Sequence, residues 1–138
     1  MSEELMRVGI SLPADLLEMF DDYLRQHSYT NRSEAVRDLI RRELNDSLLM
    51  SSGEEVVGSI TMVYDHHKRA LSDIITSIQH DFHDNILAST HVHLDHDNCL
   101  ETVLVRGSSM DIEKLTSRLL ALKGVKLGKV VIFNKDLP

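Results

Sequence analysis

The 138 residues, 42% of them hydrophobic, suffice for one ordinary domain or two small ones with their own cores. No apolar run approaches the ~20 residues of a membrane span, and Met1-Ser2-Glu3-Glu4 carries acids where a signal peptide carries bases, so a membrane role is excluded and a cytoplasmic address is expected. The net charge of −7 is shared, with 6 basic against 10 acidic residues in 1–50 and 9 against 12 in 51–138, which excludes indiscriminate nucleic-acid binding and confines any DNA contact to a local basic patch.

From Met6 to Leu12 the chain alternates strictly. This predicts a strand with Met6, Val8, Ile10 and Leu12 on one face and Arg7, Gly9 and Ser11 on the other. Pro13 suits the first turn of a helix, and Leu16, Leu17, Phe20, Tyr23 and Leu24 recur at helical spacing until about His27-Ser28. Asn31 with Glu34 three residues later makes a capping-box-like start, followed by the stripe Ala35, Val36, Leu39, Ile40 and Leu44. Residues 1–50 thus read as a β-α-α domain. One short strand with two helices cannot satisfy its own edges or bury a sufficient core, so it must pair with a second copy. Two such strands form a ribbon whose outward Arg7, Gly9 and Ser11 fit a DNA major groove. At the second helix start, Asn31, Arg32 and Ser33 offer amides and a cation to phosphate. A plain dimerisation module is the alternative, and an outward Arg and Ser favour DNA.

Leu48 to Glu55, with Ser51-Ser52-Gly53, reads as a linker. Beyond it, Val56–Tyr64 reads as a strand, Lys68–His83 as a helix, Ile86–Leu94 and Cys99–Arg106 as a hairpin, the stripe of Ile112, Leu115, Leu119 and Leu122 as a helix closed by Gly124, and Val125–Phe133 as the last strand. Residues 51–138 therefore have the β-α-β-β-α-β order of a ferredoxin-like fold, and the whole chain is of the α+β class. Both helices then cover one face of the sheet. Apolar Ile86, Ala88, Val92 and Leu94 are expected beneath them, which sends Ser89, His91 and His93 to the open face.

The loop end of that hairpin carries the chemistry. In His91-Val92-His93-Leu94-Asp95-His96-Asp97-Asn98-Cys99, strand alternation sets two imidazoles side by side, and turn formers return the chain to a thiol. His-x-His alone is common. Here seven of the eight histidines lie between His66 and His96 and Cys99 is the only cysteine, so a transition-metal site is expected. A lone cysteine forms no internal disulfide and, in a reducing compartment, remains available as a ligand.

An Arg-x-x-x-Ser-Leu strand from Arg7, the stretch Asn31-Arg32-Ser33-Glu34-Ala35, the His91-Val92-His93 pair with Cys99, and Gln79-His80 together resemble the NikR family of nickel-responsive transcriptional regulators. The resemblance spans nearly the whole chain and implies a ribbon-helix-helix DNA-binding domain (1–50) followed by an ACT-like metal-binding and tetramerisation domain (51–138). It implies a homotetramer, a dimer of dimers, that binds one Ni(II) per subunit and represses nickel-uptake genes at a double-stranded DNA operator. The family's planar nickel site falls on His91, His93 and Cys99 of one subunit with His80 of a neighbour. Three imidazoles and a thiolate in a square suit Ni(II) or Cu(II), whereas Zn(II) favours a tetrahedron.

Glu101, two residues beyond Cys99, is then a candidate to orient a ligand imidazole. Glu34 and Asp38 match positions resembling a family site for K+ or a second cation between the domains. Lys68 and Arg69, opening the helix of the second domain, are candidates for DNA phosphates. His66, His67, His83 and His96 read as solvated histidines near loops, with binding of excess metal as the alternative. Gly9 departs from the family, which often places a hydroxyl there, so base reading should rest on Arg7 and Ser11. Four protein ligands leave no open position for catalysis, so no enzyme is expected. A sensor of another transition metal such as copper, or a metal buffer, is the alternative.

Overall fold

The computed structural model describes residues 4–135, with Arg69 described by its backbone alone. The chain divides into two compact units, Met1–Glu43 and Leu44–Pro138.

In the first unit, helix α1 (Ala14–Gln26) follows Pro13, and helix α2 (Arg32–Ser51) begins after Asn31 and continues past Glu43 into the second. The cap forms as the sequence requires: Asn31 Oδ1 accepts the Glu34 amide at 2.9 Å. Thr30, rather than Asn31, closes the box, its hydroxyl donating to the Glu34 carboxylate at 2.9 Å. The strand expected over Met6–Leu12 is not formed, and residues 4–13 carry no helix or strand. A strand is defined by its ladder, and a single chain supplies no second strand here. Its apolar face is correspondingly bare: Met6 and Val8 are each 86% exposed. Leu24 and Ala35 are the buried hydrophobic residues of this unit among those described, too few to sustain a core.

Helix α2 runs through Ser51 and so overrides much of the linker expected at Leu48–Glu55. Leu48, Leu49 and Met50 are good helix formers, and Leu49 packs on the core of the second unit. The helix stops just before Gly53, whose φ of +74° suits the left-handed residue past a helix end.

The second unit contains strand β1 (Glu55–Asp65), helix α3 (Arg69–Asp81), a 3₁₀ turn (His83–Asn85), strands β2 (Ile86–His93) and β3 (Asn98–Ser108), helix α4 (Ser109–Leu120) and strand β4 (Val125–Asn134). The sheet has the order β2-β3-β1-β4 with every neighbouring pair antiparallel. This is the expected β-α-β-β-α-β arrangement. Val56, Ile60 and Met62 of β1, Val103 and Val105 of β3, Leu71 and Ile75 of α3 and Ile112, Leu115 and Leu119 of α4 form one core. Alternate strand residues therefore face the helices.

Strand β2 corrects the expectation about its two faces. Directly opposed residues of an antiparallel pair share a face. His91 opposes Glu101, and His93 opposes Cys99, so both histidines stand on the helix side, while Ala88, Thr90 and Val92 oppose Leu104, Thr102 and Leu100 on the open side. The cause is an irregularity between Ile86 and Ala88, which puts Leu87 out of step. One extra residue shifts the phase of the strand, so Ile86 joins the core while Ala88 does not. The histidines are nonetheless exposed, because β2 is an edge strand that pairs only with β3. No helix among the described residues is long and apolar enough to cross a membrane.

Candidate metal centre

The hairpin turn is built around Asp95. Its Oδ1 accepts the amides of Asp97 at 2.8 Å and Asn98 at 2.9 Å and the Asn98 side-chain amide at 3.0 Å. The bonds from the Asn98 side chain and then the Asp97 backbone hold the Asp95 carboxyl below the usual carboxylate range. With the turn fixed, His93 and Cys99 meet across the ladder, Sγ to Nδ1 3.3 Å apart. Cys99 is buried; desolvation, then the charges of Glu101 and Asp95, push its thiol upward.

A third ligand comes from outside the hairpin. His66 follows the end of β1, and its amide donates to the Asp97 carbonyl at 3.2 Å. Ligand atoms of His66, His93 and Cys99 all lie within 4.8 Å of one another. His66 Nδ1 is buried and has no hydrogen-bond partner among the described residues. A buried nitrogen without a partner is costly. Together with a neighbouring imidazole and a thiol it is a donor set that fits a borderline or soft transition metal. From the sequence His66 reads as a solvated histidine, with excess metal as the alternative, and not as a neighbour of Cys99. The signal was the pairing of β1 with β3: Tyr64 opposes Cys99, so the residues just past Tyr64 must flank the hairpin turn.

The residues expected to bind nickel are only partly assembled. His91 stands on the same face as His93, their rings 6.0 Å apart, but outside the three-ligand group. His80, in the last turn of α3, is exposed, its ring 6.0 Å from that of His83. It joins neither of the potential metal-binding groups found among the described residues. The second group is His67, His96 and Asp97, all exposed, with His67 Nε2 3.0 Å from Asp97 Oδ1.

Glu101 is buried, and its carboxylate accepts from Tyr64 Oη at 3.1 Å, from Ser89 Oγ at 3.3 Å and from Gln79 Nε2. These three donors occupy the carboxylate that was expected to orient an imidazole, and they tie β3 to β1, β2 and the end of α3. Burial, then the Glu101 charge, raises the Tyr64 hydroxyl well above the ordinary tyrosine value.

On the first unit, Arg7, Gly9 and Ser11 are exposed, and a Cβ on Gly9 would meet open space. Asn31 spends its side-chain oxygen on the cap, Ser33 is exposed, and Arg32 is paired with Asp21. Asp38 accepts the Tyr29 hydroxyl at 2.9 Å, so both candidate cation ligands, Glu34 and Asp38, already have hydroxyl donors. Lys68 is exposed at the start of α3. The side chain of Arg69 lies outside the described residues.

A sheet backed by two helices, with imidazoles and a buried thiol gathered at one hairpin, defines a metal-binding domain attached to a small helical unit. Comparison with known proteins makes this specific. Residues 57–133 match the family described as the NikR C terminal nickel binding domain. Proteins named "Putative nickel-responsive regulator" are similar over nearly their full length: one from Solibacter usitatus is 53% identical over 93% of this chain and 92% of its own. One from Chlorobaculum parvum is also 53% identical, over 89% and 91%. One from Methanothrix thermoacetophila is 51% identical, over 91% of each. The chain therefore belongs to the NikR family of nickel-responsive regulators. Among solved structures, that of an uncharacterized protein from Thermotoga maritima covers 60% of this chain and 100% of its own with a TM-score of 0.49 at 14% identity, a likeness too loose to bear on function.

Proposed function

We propose that the chain is a nickel-dependent, sequence-specific repressor of nickel-uptake genes, acting in the cytoplasm as a homotetramer of two DNA-binding dimers. The observation that carries the reading is the pairing of the sole cysteine with His93, 3.3 Å apart, at an exposed hairpin of the family's nickel-binding domain. His91, His93 and Cys99 of one chain, with His80 of another, would hold one Ni(II) per subunit. A Ni(II) ion held by that donor set would join two chains. His80 supports this by standing exposed and outside the group that His66, His93 and Cys99 form within one chain. The apolar residues exposed on the open sheet face, Leu104, Leu127, Val131 and Phe133, support packing against further protein.

In the first unit, the exposed alternation of Met6, Val8 and Ile10 supports a ribbon made with a second copy, from which Arg7, Gly9 and Ser11 would meet base edges. Asn31, Arg32, Ser33 and Lys68 would face phosphates. Glu34 and Asp38 would serve as a second cation site, for K+ or another ion, drawing on carboxylates now engaged by Thr30 and Tyr29. Four protein ligands leave no open position on the metal, so the reading includes no catalysis.

The test is footprinting of the full-length protein on its own upstream DNA with nickel and with a chelator. Protection of a discrete duplex site only with nickel is expected. Nickel binding without any protected site would leave a metal buffer, and protection that ignores nickel would remove the metal from regulation.

A further inference from the structure

The arginines of the first unit are not equally free. Among the described residues no acid pairs with Arg7. Arg32 instead meets Asp21 of α1 through two parallel bonds, Nε to Oδ1 and Nη2 to Oδ2, both 2.9 Å. This two-pronged geometry is also how a guanidinium grips a phosphate, so Asp21 occupies the donors that a DNA backbone would use. The two side chains are 58% and 30% exposed, leaving the pair open to solvent and therefore exchangeable. Arg32 holds the Asp21 carboxyl below its ordinary range, so the acid remains charged at neutral pH.

We propose that Asp21 is a built-in competitor of phosphate at Arg32, which releases the guanidinium to DNA only where the ribbon's own contacts hold a phosphate against it. The inference rests on the DNA-binding reading given above. Counterion release explains the effect. A cation that neutralises a phosphate on duplex DNA frees about 0.9 of a condensed counterion. Where Arg32 stays with Asp21, the phosphate beside it keeps its condensed counterion and that release does not occur. Sequence-indifferent binding is driven almost entirely by that release, so Asp21 penalises it selectively. An acid-rich unit with few free arginines thereby keeps its affinity for correctly seated sites.

The experiment is a salt titration of binding to a random-sequence duplex by the full-length, nickel-loaded protein. Asp21→Asn should bind more tightly and steepen the slope of log affinity against log salt by about 0.9 for each chain engaged. The gain should disappear in the Asp21→Asn/Arg32→Ala double variant. It should also exceed that of Glu18→Gln, which neutralises an exposed acid of α1 that forms no ion pair among the described residues. Asp21→Ser gives the same readout if the asparagine variant folds poorly. An unchanged slope, an equal gain in the Arg32→Ala background, or an equal gain from Glu18→Gln overturns the inference. Weaker binding by a normally folded Asp21→Asn also overturns it, making Asp21 a prop for Arg32. A wild-type protein that binds no duplex removes the regulator reading itself, which distinguishes the two failures.

Discussion

Cys99 and Glu101 stand two residues apart on one face of β3, yet their burial serves different ends. The thiol has His93 beside it and the unpartnered His66 nitrogen within reach, whereas the carboxylate is already surrounded by donors. Cys99→Ala should abolish the thiolate-to-nickel charge-transfer absorption and most nickel affinity while leaving the fold intact. Retention of full affinity in a nickel titration would remove the thiol from the site. Glu101→Ala should instead cost stability, about 1–3 kcal/mol for each buried donor left unpaired, measured by urea unfolding without nickel.

Tyr64 adds a pH dependence to that network. Its folded proton affinity is raised above the ordinary value of 10.0, so the stabilisation is complete below about pH 10 and is lost as pH climbs toward the higher folded value. Urea midpoints should therefore fall over the alkaline range, less steeply in Tyr64→Phe. Much of this site was legible as residue types: a lone cysteine two residues from a carboxylate and six from a histidine. The occupants of the carboxylate were not legible, because Tyr64, Gln79 and Ser89 come from three other elements.

At the scale of elements, local signals carried furthest where the physics is local. Asn31 caps α2 as its sequence demands, and Asn31→Ala should lower the stability of the first unit by roughly 0.5–2 kcal/mol, seen as a lower melting temperature and faster amide exchange in the first turn of α2. Unchanged exchange at Glu34 would show that the cap contributes nothing. The element order of the second unit was legible for the same reason: each strand and helix carries its own period. Strand β2 was misread because alternation gives a face only if its phase is unbroken, and nothing in Ile86-Leu87-Ala88 announces an out-of-step residue. The first strand failed differently. Its alternation over Met6–Leu12 finds no second strand to pair with in one chain, which leaves those side chains in solvent. The linker was overestimated because Ser51-Ser52-Gly53 marks where α2 ends, while Leu49 still has a core to bury against.

At the scale of the whole molecule, regulation requires that a bound ion favour one arrangement of chains over others, since a ligand indifferent to the arrangement shifts nothing. His91 and His93 face the helix side of the sheet, but on an edge strand that the helices leave uncovered, and His80 lies at the surface on the end of α3. On the proposed reading, His91, His93 and Cys99 are an incomplete ligand set at the hairpin and His80 is an imidazole offered elsewhere. If His80 of one chain completes the site of another, every filled site fastens two chains, and two ribbons held at fixed separation convert weak single-dimer contacts into tight operator binding through effective concentration. Mixed tetramers test the sharing directly. His80→Ala chains keep an intact trio and lack the spare imidazole, while His91→Ala chains keep the imidazole and have a broken trio. Each variant alone should lose high-affinity nickel binding. After unfolding and joint refolding, a site combining the intact trio of the first with His80 of the second is whole, so mixtures should recover part of the nickel stoichiometry and part of the nickel-dependent DNA affinity. Hybrids confirmed by mass that bind no more nickel than either parent would show that each site draws its ligands from a single chain, with His66 then the nearest candidate to stand where His80 was placed.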